Sequence, residues 1–493
     1  MFWIWFAPLL AIVLFLMIIC VRAAMFVPKK LTENASKPSS DSSALSAEVV
    51  VDRERAFKNL QEMIKVKTIT PESDDLTVKS PYEKEFEEFK ALLPRLYPLL
   101  HKHSTCEYVG PTGILYKWEG KSSDSPTIYM AHYDVVPVEE DMWEKPPFSA
   151  ERADGEIWGR GTLDTKGTLC AALEAAESLL EQGFVPKQDV YFAFGGDEEQ
   201  RSADAPAIVE LLKSRGVRPG LVLDEGGAVV ENVFPGVKQQ VAVIGTGEKG
   251  KLNVEFSISE MGGHAATPPP RTSIGALARA ITAVEENQFP ATISKPVVDM
   301  FDTLGRHSSF AYKLIFANLF CFKGILFSLC KKKGGELNAL VRTTVAFTQM
   351  RGSDAPNVLP PVASVTANMR LMSPDTSKSV LKILQEKINN ESITITGHNA
   401  VEPSPFSNTD SEGYARLCGA ISATWPEAII SPYMMIAASD SRHFCKISDV
   451  VLRFSAMYMS TDDRKRIHSN NERINEERFI EAVSFYHRML RES

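Results

Sequence analysis

The sequence has few of the features that small secreted domains and cysteine zinc sites depend on. Its 493 residues include seven cysteines, at 20, 106, 170, 321, 330, 418 and 445, with no Cys-x-x-Cys spacing and no cluster near a histidine pair. That pattern supports neither a disulfide framework nor a cysteine-ligated zinc site, and Cys170, inside a helical repeat, reads as a free buried thiol. Excess basic charge is also missing. The formal net charge of −8 argues against a nucleic-acid partner and against a polybasic membrane-surface role for the body of the protein. Charge-free apolar runs long enough to cross a bilayer are confined to the amino terminus, where Met1 to Cys20 is almost wholly apolar.

That first stretch lacks a basic region in front of it and a clear small-residue cleavage site, so residues 1–26 read as a transmembrane anchor rather than a cleaved secretory peptide. Arg22, Lys29 and Lys30 follow it, and three charges leave the side of the membrane open. Residues 27–51 are rich in Ser, Ala and Lys without periodicity and read as a linker. The triplets at Asn34 and Asn390 match a glycosylation sequon but do not settle the compartment. At this length two domains, or one with a large insertion, are expected.

From Asp52 the pattern is globular, with 44% hydrophobic and 24% charged residues overall. Helices are expected over Arg55 to Ile64 and Glu83 to Leu100. Thr127-Ile-Tyr-Met-Ala-His-Tyr-Asp134 reads as a short buried strand ending in His132 and, two residues later, Asp134. Gly159-Arg-Gly-Thr-Leu-Asp164-Thr-Lys-Gly167 is a glycine turn running into a helix, Val190 to Phe194 is a strand exiting at Asp197-Glu198-Glu199, and Gly220-Leu-Val-Leu-Asp224-Glu-Gly-Gly is another strand breaking at an acidic loop. Strand alternating with helix is the signature of an α/β fold with a largely parallel sheet. Beyond Thr246 the style changes: four strands and two helices, with Lys251 to Glu260 alternating apolar and polar, suggest an inserted α+β domain over 247–402. The catalytic domain would then comprise 52–246 and 403–493. Inside the insertion, Phe310 to Cys330 is unusually apolar. Ordinary core or a subunit interface is the expectation for it, and an acyl-binding or membrane-leaning surface is the alternative.

Ligands in open α/β sheets bind at the carboxyl ends of the strands. His132, Asp164, Glu198, Glu199, Asp224 and His468 all fall on loops placed to reach that edge. Two imidazoles with several carboxylates suit zinc. The set divides into one ion bound by His132 and Asp224 and another by Glu199 and His468, with Asp164 shared. Glu198 is then free to act as general base, and Asp134 would orient His132 through its other ring nitrogen.

The motifs at His132 to Pro137, Gly159 to Gly167, Asp197 to Glu199, Asp224 to Gly227 and Arg466 to Glu472 resemble, in order, those of the di-zinc aminoacylase and carboxypeptidase family, in the branch of carboxypeptidase S and N-fatty-acyl-amino-acid synthase/hydrolase. The resemblance implies a zinc-binding α/β domain interrupted by a lid, two Zn2+ per chain, and hydrolysis of an amide bond next to a free α-carboxylate in a small peptide or N-acyl amino acid. It also implies roles for three lid residues: His264 polarising the scissile carbonyl, often across a lid-mediated homodimer, Arg370 holding the substrate carboxylate, and Asn357 near the substrate. Ser439-Asp440-Ser441-Arg-His resembles the family's substrate-side loop, which makes Asp440 and Ser441 candidate substrate contacts. Gln200 to Ala205 departs from the family pattern, where glycines are usual. A catalytically silent metal-binding or scaffold protein on the same fold is the rival reading.

Overall fold

A computed structural model describes residues 2–29, 49–70, 81–200, 202–232, 234 and 236–493. Most of the expected linker, with Lys30 and the Asn34 triplet, lies outside the described residues, as does Arg201 in the departing loop.

A mixed ten-stranded sheet carries the site, and its centre is parallel. Gln188–Gly195, Ser122–His132, Leu221–Asp224 and Val451–Arg453 lie side by side in that order, all running the same way. Side chains alternate between the two faces of a strand. Ile128 and Met130 accordingly pack with Ile208 and Leu212 on one face. Tyr129 and Ala131 join Leu169 and Leu173 on the other. Both faces are covered, which explains why Thr127 to Ala131 reads as an unbroken buried run rather than an alternating one. The Lys166–Glu181 helix, between Arg53–Lys65 and Glu476–Arg491, covers one side. Lys166 is buried at its start and donates to the carbonyls of Met63 and Val66, closing the end of the Arg53–Lys65 helix.

A second core surrounds a four-stranded antiparallel sheet ordered Thr344–Arg351, Val362–Leu371, Gly250–Ser259, Thr394–Val401. The alternation expected near Lys251 is present: Leu252, Val254, Phe256 and Ile258 face Leu277, Val284, Val380 and Leu384 of the Ser273–Glu286 and Ser377–Ile388 helices. Residues 295–340, although inside the stretch read as one insertion, pack elsewhere. The amphipathic Lys295–His307 helix turns Val297, Met300, Phe301 and Leu304 into the core of the large sheet, and Phe316 and Leu340 follow it there. The single helix expected over Glu83 to Leu100 is two, Glu83–Leu96 and Pro98–His103. Tyr97 precedes a proline, whose ring disfavours helical backbone at that position.

Candidate metal centre

Strand register assembles the site. His132 lies opposite Gly195, three residues before Glu198, and Tyr129 lies opposite Leu223, just before Asp224. Three strand ends therefore release their loops on the same edge, and the glycine turn adds Asp164 from the side. His132 Nε2 is 2.9 Å from Asp164 Oδ1, and His468 Nε2 is 3.0 Å from Asp164 Oδ2. Each oxygen of one carboxylate thus faces a different imidazole. His468 Nε2 also lies 3.1 Å from Glu199. On the His132 side the partner is Glu225, with Oε1 3.6 Å from Nε2. Ligand atoms of His132, Asp164 and Glu199 come within 4.8 Å of one another, as do those of His132, Glu198 and Glu225.

The electrostatics call for cations. Burial pushes the carboxyls of Glu198 and Glu225 well above the usual range; Asp440 and Glu199 add to the shift at Glu198, and Asp164 adds to it at Glu225. Burial disfavours ionised Asp164 as well, but hydrogen bonds from His132 and His468 hold its carboxyl far below the usual value. A buried carboxylate cluster of this kind is stabilised by pairing or by metal, and imidazole with carboxylate is a zinc donor set.

Neighbouring bonds hold these ligands in place. Asp134 is fully buried and accepts from the amides of Glu198 (3.2 Å) and Glu199 (3.1 Å) and from Thr70 Oγ1 (2.6 Å). His132 Nδ1 lies 3.0 Å from the Asp134 carbonyl oxygen and 3.3 Å from its carboxylate. Asp134 therefore orients both the imidazole and the glutamate pair. Glu472, fully buried, receives Arg160 and the amides of Gly161, Leu163 and Asp164, which fixes the turn that delivers Asp164.

A cavity of about 400 Å³ opens on this cluster. Asp164, Glu198, Glu199, Glu225 and His468 belong to its lining, together with an apolar set that includes Phe234, Met300, Leu337, Leu340, Tyr433 and Met435, and with the charged Glu336 and Arg464.

Residues 128–492 match peptidase family M20/M25/M40. The chain belongs to this family. It is similar to an N-fatty-acyl-amino acid synthase/hydrolase of Xenopus tropicalis, 35% identical over 448 residues that cover 90% of this chain and 86% of the relative. It is also 34% identical to a probable carboxypeptidase S-like protein of Dictyostelium discoideum, over 85% of this chain and 81% of that one. Among solved structures, an M20 metallo-carboxypeptidase from Sulfolobus solfataricus shares the fold at a TM-score of 0.64 and 18% identity, covering 88% of this chain and 98% of the other. Human carnosine dipeptidase 1 does so at 0.61 and 17%, covering 89% and 96%. As a member of the M20 family the protein is a metal-dependent hydrolase of amide bonds, in a family that typically uses zinc.

Within this M20 chain the other residues singled out from sequence lie in varied settings. Asp224, read as a ligand beside His132, is buried and accepts from the Ser441 amide at 3.0 Å, while its neighbour Glu225 lines the cavity. Asp440 and Ser441 are buried too: Asp440 accepts from Ser202, and Ser441 Oγ pairs with Ser439 Oγ at 2.7 Å. Their loop is anchored by Glu248, which receives the Ser439 amide and a fully buried ion pair from Arg453 at 2.7 Å. His264 is exposed on a two-residue strand paired with Val358–Leu359, and its Nδ1 accepts from the Ala266 amide. Asn357 is exposed beside it, its carbonyl receiving the Ala265 amide. Arg370 is half-buried, and burial together with nearby Arg442 lowers its pKa.

Glu225 and Glu472 were not assigned from sequence. The signal for Glu225 was its adjacency to Asp224, because a strand exit presents consecutive residues in different directions. Glu472 stood four residues after His468 with nothing local to say that its carboxylate turns back under the glycine loop.

Proposed function

We propose that this M20 hydrolase cleaves N-acyl amino acids bearing apolar acyl chains, with two zinc ions, while held at a membrane by its N-terminal helix. The observation that carries this reading is the cavity. Its lining joins the candidate metal-holding side chains to Phe234, Met300, Leu337, Leu340, Tyr433 and Met435. A dipeptide would leave that apolar wall without a partner, whereas an acyl chain removes it from water at roughly 25 cal/mol per Å² buried.

His132, Asp164 and Glu225 would hold one ion, with Asp224 the alternative from sequence, and Asp164, Glu199 and His468 the other. The bound ions supply Lewis acidity and lower the pKa of water at the site from about 16 towards about 7. Glu198, half-buried beside His132 and Glu225, takes the proton of the attacking water and returns it to the departing amine. Arg370, with Arg442 near it, receives the free α-carboxylate, whose charge relieves the repulsion between the two guanidiniums. His264 donates to the developing oxyanion, delivered from the lid of a second copy in a homodimer. Asp440 and Ser441 shape the substrate side by fixing the loop that carries Arg442.

The test is a competition between long-chain N-acyl amino acids and dipeptides on the zinc-loaded enzyme. The acyl substrates should win in kcat/KM, and a flat preference or faster dipeptide cleavage would remove the acyl assignment. Metal analysis should find two zinc ions per chain, and a chelator should abolish turnover until zinc is restored.

A further inference from the structure

The N-terminal helix, Phe2–Met25, is 24 residues long, and a bilayer core takes about 20. Its described side chains from Pro8 to Ile18 are exposed, and only the far end packs on the body: Ile19 and Ala23 are buried, and the helix contacts Phe310–Phe316. That junction is firmly bonded. Arg22 donates to the Ala317 carbonyl at 2.9 Å and to Asn318 Oδ1 at 3.0 Å, and Asn318 Nδ2 returns a bond to the Ile19 carbonyl at 3.1 Å. Just beyond, Lys29 pairs with Asp302, and Arg306 holds the Val27 carbonyl. The apolar window long enough to cross a bilayer, Pro8–Met25, ends on this junction, so an anchored helix brings the turn at Ala317–Asn318 to the edge of the bilayer.

The chain bends by 107° at that turn, and Leu319–Lys333 runs off as a second helix. One side of it is bound to the body, with Leu319, Leu326 and Phe327 against the large core and Cys330 buried. On the other side the Arg22 guanidinium lies over the Phe320 ring, 5.4 Å from its centroid, and the apolar side chains are largely exposed. Phe320, Ile325 and Leu329 are 60%, 55% and 51% exposed, and Cys321, Gly324 and Ser328 complete a stripe without charge. Lys331, Lys332 and Lys333 close the helix, exposed and without an acidic partner among the described residues. An apolar stripe ending in lysines, continuous with a helix that enters the membrane, is the pattern of a helix lying in the interface of an anionic bilayer.

We infer that the Leu319–Lys333 helix is a second, shallow membrane contact, seating the enzyme on the lipid surface from which its N-terminal helix emerges. This rests on reading the N-terminal helix as an anchor, and the experiment separates the two. The helix runs directly into Gly335–Ala339 and Leu340, and Leu337 and Leu340 form part of the cavity wall. Part of the cavity's apolar lining, Leu337 and Leu340, therefore follows in the chain directly on the segment that touches lipid.

The full-length protein, with exposed Cys20 and Cys321 replaced (Cys20→Ser, Cys321→Ser), would be placed in nanodiscs containing phosphatidylglycerol. Nitroxide labels would be introduced singly through Leu10→Cys, Ile325→Cys and Lys213→Cys, the last on a helix of the large domain. Accessibility to oxygen relative to a water-soluble nickel chelate reports immersion. The ratio at 325 should exceed that at 213 several-fold and stay below that at 10. Adding Lys331→Glu, Lys332→Glu and Lys333→Glu should lower it at 325 and leave 10 unchanged. A ratio at 325 equal to that at 213, with 10 immersed, would overturn the second contact while the anchor stands. Low access to both reagents at 325, with spin–spin broadening, would assign the stripe to a second copy of the chain and overturn it as well. A water-like value at 10 would remove the anchor and this inference with it.

Discussion

The metal centre and the lid present their functional side chains in opposite ways. At the strand ends, His132 is buried, the carboxylates of Asp164, Glu199 and Glu225 are largely so while His468 is half-exposed, and the loops that carry them are tied to backbone: Asp134 takes the amides of Glu198 and Glu199, and Glu472 takes three amides of the Asp164 turn. On the lid, the side chains of His264 and Asn357 are exposed on two short paired segments, and Arg370 has like charge beside it. One region brings its side chains together within a single chain. The other leaves His264 and Asn357 open, as the proposed roles toward a substrate carboxylate and a second subunit require. Preorganised donors cost no rearrangement at the moment of reaction, which is why the ionic cluster is the rigid half.

Substitutions in the rigid half should give the largest losses and no rescue. Glu198→Gln should lower kcat by about 10²–10⁴-fold, the usual worth of a positioned general base, while metal analysis still finds zinc bound. Retained turnover would remove Glu198 from the reaction. His264→Ala should cost about 10²–10³-fold if it donates to the oxyanion. Here the two halves part: mixing His264→Ala with Glu198→Gln subunits should restore activity, because a mixed dimer rebuilds one intact site. No recovery on mixing would place His264 in its own subunit's site. Glu472→Gln touches no ion, yet it should cost about 10–100-fold in zinc affinity by loosening the Asp164 turn. In the same assay Glu225→Gln should release one ion per chain, whereas Asp224→Asn should retain both and loosen the Ser441 loop.

The same contrast decides how much could be read in advance. The α/β class, the antiparallel sheet near Lys251 and the histidine and carboxylate set were legible, because buried strands leave periodic apolar runs and their exits leave ligands in order along the chain. What escaped was direction and distance. Asp224 and Glu225 differ by one position, and sequence alone does not show that Glu225 Oε1 comes within 3.6 Å of His132 Nε2 while Asp224 takes the Ser441 amide. Residues 295–340 sit between lid strands in sequence, but the amphipathic face of Lys295–His307 returns them to the large core. No local pattern distinguishes the two cores that such a face can join. Phe310 to Cys330 was ambiguous for a physical reason: Leu319–Lys333 is apolar on both sides, one against protein and one open.

The smallest expected effect tests the responsive half most directly. Arg370 is half-buried between strands of the lid sheet, with its pKa lowered by burial and by Arg442. A guanidinium held next to another is destabilised until an anion arrives, so the pair should bind carboxylate more strongly than either alone. Arg370→Lys keeps the charge but loses the planar two-donor fork. Losing one charged hydrogen bond of about 1.5–3 kcal/mol corresponds to roughly a 10- to 100-fold rise in KM. The change should appear in KM with kcat nearly unchanged, since the carboxylate is held equally in the ground and transition states. It should also vanish for a substrate whose carboxylate is amidated, because neither enzyme then has an anion to hold. If Arg370→Lys lowers kcat for both substrates alike, Arg370 is supporting the lid sheet, and the carboxylate must be held elsewhere.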